Sequence, residues 1–76
     1  MAVEAVVLLK LEPGKARRAV QRIGRVPGVR EAHVITGPWD GICLAQARDL
    51  SALGTLVLSR IQRVDGVEDT LTCLVV

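Results

Sequence analysis

The residues best suited to hold a small ligand stand together in one short stretch. Thr36-Gly37-Pro38-Trp39-Asp40-Gly41 places the single aromatic residue of the chain and an acid between glycines. Gly37 leaves backbone N–H groups open to a carboxylate, Asp40 can pair with an ammonium group, and Trp39 can form a wall beside an apolar side chain. These are the needs of a zwitterionic amino acid. Turns use the same residue types, however, so a purely structural hairpin is the competing interpretation, and the residue types alone favour it.

The other reactive side chains form no catalytic or metal-binding pattern. The sequence has no nucleophile beside a base, no phosphate-binding glycine loop and no paired acids at helical spacing on an apolar face. Cys43 and Cys73 form no CxxC motif, and with His33 as the one histidine they do not make an ordinary structural zinc site. We therefore expect two buried cysteines on strands, a surface or edge-strand histidine, no cofactor and no enzymatic activity.

Two further groups of polar residues are less specific. Thr70 and Thr72 lie on one face of the predicted last strand and offer two hydroxyls, but threonine is also a common strand residue. The outer face of the first predicted helix is basic, through Lys15, Arg17, Arg18, Arg22 and Arg25. A solvated surface is the favoured interpretation of that face. The net charge of +2 and the lack of further aromatic residues also argue against nucleic-acid binding.

Length and composition describe the domain that must position these residues. A chain of 76 residues fits one small domain spanning positions 1–76, and 50% hydrophobic with 24% charged residues is a globular composition. No apolar run approaches the ~20 residues that span a bilayer, and no signal peptide opens the chain. These features predict a cytoplasmic protein without membrane contact.

An internal repeat divides the chain into halves. Arg25-Val26-Pro27-Gly28-Val29 reappears 38 residues later as Arg63-Val64-Asp65-Gly66-Val67. Each copy follows a helical pattern, and each helical pattern follows an apolar strand-like run. The sequence therefore predicts two β-α-β units in tandem.

Hydrophobic periodicity places the elements of these units. The predicted strands cover Val3–Leu11, Val29–Thr36, Trp39–Ala47 and Val67–Val76. The first helix lies near Lys15–Arg25 and buries Ala16, Ala19, Val20 and Ile23; the second buries Leu50, Leu53, Val57 and Ile61. The resulting order is β-α-β-β-α-β. It predicts an α+β, ferredoxin-like fold with a four-stranded antiparallel sheet in the order 4-1-3-2 and both helices on one face.

Two residues of the second helix have individual roles. Asp49 is placed to cap its N-terminus, because a carboxylate accepts hydrogen bonds from the first-turn amides. Gly54 interrupts the helix at a cost of about 1 kcal/mol relative to alanine. This cost indicates either close packing at Gly54 or a tolerated weakness.

The helix-free face of the predicted sheet is too apolar for a monomer. An antiparallel sheet with one solvated face alternates between apolar and polar residues, and here the central strands are apolar on both faces. The residues predicted on the helix-free face are Val6, Leu8, Ile42, Leu44, Leu74 and Val76. A patch of this size favours self-association through the sheet, with a two-fold dimer as the default.

Five segments, taken in order, resemble the effector-binding domain of the Lrp/AsnC family, which is called the RAM domain. These segments are Pro13-Gly14, Val26-Pro27-Gly28-Val29, Thr36-Gly37-Pro38-Trp39-Asp40, Ala47-Arg48-Asp49-Leu50 and Val67-Glu68-Asp69-Thr70-Leu71-Thr72. The resemblance covers essentially the whole chain. It implies a homodimer made by packing sheet against sheet, further assembly into octamers, and an amino acid or similar small effector bound between neighbouring dimers.

The resemblance also implies which residues bind the ligand. Gly37, Trp39 and Asp40 match the family's ligand loop, and Thr70 and Thr72 match strand positions whose hydroxyls line the pocket. Trp39 replaces the more usual tyrosine, which reshapes the pocket relative to the family pattern.

The sequence departs from the family in its N-terminal part. Met1 comes directly before the first strand, where family members usually carry a helix-turn-helix domain. We therefore expect a stand-alone RAM domain that binds an effector, regulates transcription of amino-acid metabolism without touching DNA itself, and co-assembles with full-length Lrp/AsnC regulators. The alternatives are a small dimeric α+β barrel enzyme of the monooxygenase or isomerase type and an ACT-like allosteric regulatory subunit.

Overall fold

Four strands and two helices follow one another along residues 2–76, the part of the chain that this computed structural model describes. The strands are β1 (Val3–Leu11), β2 (Val29–Val34), β3 (Gly41–Ala47) and β4 (Val67–Leu74). The helices are α1 (Ala16–Ile23) and α2 (Leu50–Leu56), and α2 continues as a π-helical segment, Val57–Ile61. The strand order is β2-β3-β1-β4 and all neighbours are antiparallel, so the predicted ferredoxin-like α+β fold is confirmed.

The core lies between one face of the sheet and the two helices. Alternate residues of β1 are completely buried, because β1 is a central strand and its side chains point to opposite faces in turn. The buried hydrophobic residues of the sheet are Ala5, Val7, Leu9, Leu11, Cys43 and Ala45. The helices contribute Ala19, Val20, Ile23, Leu53, Leu56, Val57 and Ile61. Six of the eight helix positions predicted to be buried are buried: Ala19, Val20, Ile23, Leu53, Val57 and Ile61. Ala16 is only partly buried, and the prediction is wrong for Leu50, the first residue of α2, which is exposed because it lies at the surface between α2 and β4.

The N-terminus of α2 forms as predicted. Oδ1 of Asp49 accepts a hydrogen bond from the Ala52 N–H at 2.7 Å, which confirms Asp49 as the capping residue. At the other end, the Gln62 N–H donates to the Val57 carbonyl at 2.9 Å, five residues back. This wider turn is the π-helical geometry.

The internal repeat includes the end of each helix as well as the turn that follows it. Both copies read Arg-Ile-x-Arg-Val-x-Gly-Val, from Arg22 and from Arg60, and Ile23 and Ile61 are both completely buried. Gly28 and Gly66 have φ angles of +100° and +98°, so each repeat leaves its helix through a glycine in the left-handed region. The repeated sequence therefore encodes the same helix-to-strand connection twice.

The loop between β2 and β3 is longer than predicted. β2 ends at Val34 rather than Thr36, and β3 begins at Gly41 rather than Trp39. Asp40 is still bonded to both neighbouring segments, because its N–H donates to the Leu9 carbonyl at 2.9 Å and its carbonyl accepts from the Ile35 N–H at 2.9 Å. Similarly, β4 ends at Leu74 rather than Val76, where its pairing with β1 ends.

The apolar helix-free face exists, but part of its predicted composition is wrong. Leu71 lies opposite Leu8 and Cys73 lies opposite Val6, so Leu71 and Cys73 belong to that face. Leu74 lies opposite the buried Ala5 and therefore points to the helix side, and Val76 lies beyond the strand. We define the helix-free face by its apolar members Val6, Leu8, Ile42, Leu44, Leu71 and Cys73.

The two cysteines differ in exposure. Cys43 is buried on β3, Cys73 is exposed on β4, and both are free thiols with β1 between their strands. The prediction of two buried cysteines is therefore wrong for Cys73, because β4 is an edge strand and Cys73 is on its helix-free side. His33 lies exposed on the other edge strand, as predicted, with its Nε2 3.0 Å from Oε1 of Glu31.

The burial of Cys43 leads to a prediction about thiol reactivity. Burial raises the pKa of the Cys43 thiol to about 11, so at pH 8 the thiol is protonated as well as inaccessible. We expect iodoacetamide to leave Cys43 unmodified in the folded protein and to modify it in urea, as measured by mass spectrometry of its peptide. Modification of Cys43 at the same rate in both conditions would contradict the structure.

Candidate functional site

Asp40 fixes the predicted ligand loop to the end of β1. Its Oδ2 accepts a hydrogen bond from the Leu11 N–H at 2.9 Å, and its backbone carbonyl accepts one from the Ile35 N–H at 2.9 Å. Asp40 thus stabilises the loop conformation, as the structural hairpin interpretation expects. Its Oδ1 has no hydrogen-bond partner within residues 2–76, which leaves this oxygen for another donor.

Asp40 also lines an acidic cleft of about 410 Å³ between the β2–β3 loop and the start of α1. The carboxylates of Glu12 and Glu68 line the same cleft, and Lys10 is its one basic residue within the described part of the chain. Glu12 is already paired with the Lys15 ammonium group at 3.3 Å, so Asp40 and Glu68 are the carboxylates of the cleft that could attract a further cation. Glu12 and Glu68 were not predicted as site residues, because nothing in their sequence spacing relates them to Asp40.

Trp39 turns toward the other side of the sheet. The Lys10 Nζ lies 5.9 Å from the centre of the Trp39 ring and donates a hydrogen bond to the Pro38 carbonyl at 2.6 Å. Lys10 pairs with Asp69 on the helix-free side, so Trp39 stands at one end of the helix-free face. A cation over an aromatic ring is a favourable contact, and it holds the loop against β1.

Gly37 is the open part of the loop. It is exposed, its φ is +141°, and nothing lies within 4 Å of the position that a Cβ would take. The space beside Gly37 is therefore open to solvent.

Thr70 and Thr72 lie on the helix side of the edge strand β4, opposite Leu9 and Val7. They border a groove of about 480 Å³ between β4 and α2, which we call the β4 groove. It is lined by Leu50, Leu53, Gly54, Val57, Leu58, Gln62, Thr70, Thr72 and Leu74. The Gln62 Nε2 donates to the Thr70 Oγ1 at 2.8 Å, so these two polar groups lie together at one end of the groove.

The five predicted site residues therefore form two separate groups within one chain. Asp40 lines the acidic cleft, whereas both threonines line the β4 groove, and neither of these two clefts contains members of both groups. In a single copy of the chain these residues line two separate clefts rather than one closed pocket.

The arginines of the basic face of α1 line neither the acidic cleft nor the β4 groove. Arg17, Arg18, Arg22 and Arg25 are exposed and form no ion pair within the described residues. Lys15 differs, because its Nζ lies 3.3 Å from Glu12 and 3.4 Å from Asp65, and these two carboxylates raise the pKa of Lys15.

Residues 2–76 hold neither a metal site nor a membrane span of the helical kind. No three His, Cys, Asp or Glu side chains of this segment are grouped so that they could hold a metal ion. In the same segment, no helix is both long and apolar enough to cross a membrane.

Comparison with known proteins relates this fold to one family. The family model of the Lrp/AsnC ligand binding domain matches residues 4–76. The crystal structure of TTHA0845 from Thermus thermophilus is 30% identical, with a TM-score of 0.91 over 97% of this chain and 92% of that one.

Two curated relatives contain the same segment within longer chains. The uncharacterized HTH-type transcriptional regulator PH1916 of Pyrococcus horikoshii is 30% identical over 71 residues, which are 90% of this chain and 47% of the regulator. The homocitrate synthase of Sulfurisphaera tokodaii is 35% identical over 74 residues, which are 96% of this chain and 16% of the enzyme. The chain thus spans about half the length of the regulator. From the family match over nearly its whole length, the chain belongs to the Lrp/AsnC family and corresponds to its ligand-binding domain.

Proposed function

We propose that this domain binds a small effector, an amino acid, and couples that binding to oligomerisation in the regulation of amino-acid metabolism, without catalysis of its own. The observation that carries this proposal is the match to a ligand-binding domain that also occurs in two unlike proteins, a transcriptional regulator and a synthase. Their shared segment supports a function common to both, and sensing a ligand is such a function. A role beside DNA-bound regulators would be carried out in the cytoplasm.

The helix-free face supports a homodimer. Its six apolar members lie on adjacent strands, with Leu8 of β1 paired to Ile42 on one side and Leu71 on the other. A second copy that packs its own helix-free face against this one would remove both patches from water. The two helices remain on the outside of such a dimer, so the acidic cleft and the β4 groove stay available to a neighbouring dimer.

The effector would then bind where two dimers meet and complete each other's half-sites. Carboxylates around Asp40 would hold the ammonium group, and backbone N–H groups near Gly37 would hold the carboxylate. The threonines and the apolar wall of the β4 groove would come from the neighbouring dimer. Since the complete site exists only in the assembled state, binding would shift the equilibrium toward larger oligomers.

Calorimetric titration with each of the twenty amino acids, followed by light scattering, tests this function. We expect saturable heat from one or a few amino acids and a larger mass in their presence. Heat from none of them would contradict effector binding by this domain.

Two substitutions of Asp40 distinguish a structural role of this residue from a role in ligand binding. Asp40→Ala removes the acceptor of the Leu11 N–H, which we expect to cost about 1–3 kcal/mol of folding free energy. Asp40→Asn keeps an acceptor oxygen and removes the charge, so we expect near-normal thermal unfolding and loss of amino-acid binding by calorimetry. Unchanged binding by Asp40→Asn would show that this carboxylate does not hold the ammonium group.

Effector binding by this domain could control either a transcriptional regulator or an enzyme, depending on the protein with which the domain assembles. The regulator PH1916 favours mixed assembly with full-length Lrp/AsnC-type regulators, whereas the homocitrate synthase favours allosteric control of an enzyme. Co-expression of the chain with a full-length regulator from the same organism and native mass measurement would distinguish them. Mixed oligomers would support the regulatory role, and homo-oligomers alone would contradict co-assembly.

A further inference from the structure

Gly54 occupies a helical position that the fold itself does not require to be glycine. It lies within α2, where glycine is less favourable than alanine. Its φ is not in the left-handed region, and nothing lies within 4 Å of the position that a Cβ would take. Gly28 is the contrast, because there a Cβ would lie 2.9 Å from Cδ2 of Leu56. Of the two interpretations from the sequence, close packing within the chain is wrong for Gly54, and a tolerated weakness agrees with the open space around it.

The open space at Gly54 belongs to the β4 groove. Leu50 and Leu58 lie one helical turn before and after Gly54, and they are 61% and 63% exposed. Gly54 therefore forms a gap between two projecting leucines, with Leu74 on the facing strand. A larger side chain at position 54 would close this gap without disturbing the core.

The side chains that line the β4 groove determine which kind of ligand group is stable in the gap at Gly54. Its lining, all within residues 2–76, includes leucine and valine side chains and no charged residue. Gln62 and Thr70 are bonded to each other at one end of the groove, and Thr72 lies between Thr70 and Leu74 along β4. An aliphatic chain gains from burial here, whereas a charged side chain would lose its hydration without finding a partner.

We propose that Gly54 determines which side chain the site accepts, and that the effector is an amino acid with a large aliphatic side chain. This inference rests on the proposed function, since it assigns the ligand's side chain to the β4 groove. The two threonines would lie beside the ligand's polar end, and the gap at Gly54 would receive its aliphatic end.

The test is calorimetry of the full chain with leucine, methionine, alanine, lysine and glutamate. We expect leucine or methionine to bind the unmodified protein at least about tenfold more tightly than alanine, and lysine and glutamate to bind more weakly still. Preference for alanine, lysine or glutamate would overturn the assignment of ligand class. Absence of binding by all twenty amino acids would instead contradict the proposed function itself.

Variants at position 54 test the residue. We expect Gly54→Leu to weaken binding of leucine and methionine at least about tenfold, and Gly54→Ala to weaken it less while raising the Tm. Thr55→Ala, at the neighbouring exposed position outside the groove, is the matched control and should bind normally. Normal binding by Gly54→Leu would overturn the proposal. A changed oligomer mass of Gly54→Leu without any amino acid would also overturn it, because the gap would then receive a subunit rather than a ligand.

Discussion

A chain carrying Leu8→Asp is expected to be a folded monomer. Leu8 lies on the central strand β1, between Ile42 of β3 and Leu71 of β4, and so in the middle of the helix-free face. Packing two such faces together would bury a carboxylate from each copy without a partner, at a cost of several kcal/mol. We therefore expect dimerisation to weaken by about a hundredfold or more. The fold should persist, because the Leu8 side chain is not part of the buried core.

Analytical ultracentrifugation over a range of concentrations measures this effect, with circular dichroism to follow the fold. Thr55→Asp places the same charge on the exposed side of α2 and is the matched control. A control that stays dimeric beside a monomeric Leu8→Asp would assign the interface to the helix-free face. If Leu8→Asp and the unmodified chain dimerised equally strongly, the interface would have to lie elsewhere.

Gly28→Ala is expected to be the most destabilising single-methyl change at a glycine. The φ of +100° disfavours any L-residue, and the added Cβ would lie 2.9 Å from Cδ2 of Leu56 and 3.2 Å from the Gln46 carbonyl oxygen. Backbone strain of about 1–2 kcal/mol and overpacking of about 1–3 kcal/mol add to roughly 2–5 kcal/mol. A domain of this size has roughly 4–11 kcal/mol of stability in total, so the loss approaches unfolding.

Comparison with Gly14→Ala separates the overpacking contribution from the backbone strain in the stability that Gly28→Ala loses. Gly14 has a similar φ of +85°, but nothing lies within 4 Å of its Cβ position. The effect of alanine on the unfolded chain is the same in both variants and cancels in the comparison. We expect urea denaturation at one protein concentration to show Gly28→Ala about 1–3 kcal/mol less stable than Gly14→Ala. Equal losses would mean that the fold accommodates the methyl group beside Leu56.

The fold could be predicted from the sequence because its determinants are local. The capping role of Asp49 and the helical spacing that buries Ile23 and Ile61 each depend on a few neighbouring residues. Which face of the sheet each residue of β4 points to does not depend on neighbouring residues alone, because it is set by the pairing of β4 with β1. The register of β4 shifts beside Lys10 and Leu11, and a shift of one residue exchanges the two faces, which is why Leu74 was placed on the wrong side.

The site was predictable only in its parts. The loop residues and the threonines are recognisable by type, but their separation onto different clefts depends on strand register and loop conformation. Glu12 and Glu68 join Asp40 through the fold alone. The interpretation of Gly54 needed the structure as well, since sequence cannot distinguish a packed glycine from an open one.

The pairing of β1 with β4 brings the two ends of the domain to one corner of the sheet. Ala5 lies opposite Leu74, and the Val75 N–H donates to the Glu4 carbonyl at 2.9 Å. The loop around Asp40 contacts Leu9 and Leu11, at the far end of the same strand. A second polypeptide tethered before β1 or after β4 would therefore leave from a single corner and would not cover the acidic cleft. This geometry allows one sensing unit to be carried by unrelated proteins, at either end of their chains, with its entrance unobstructed.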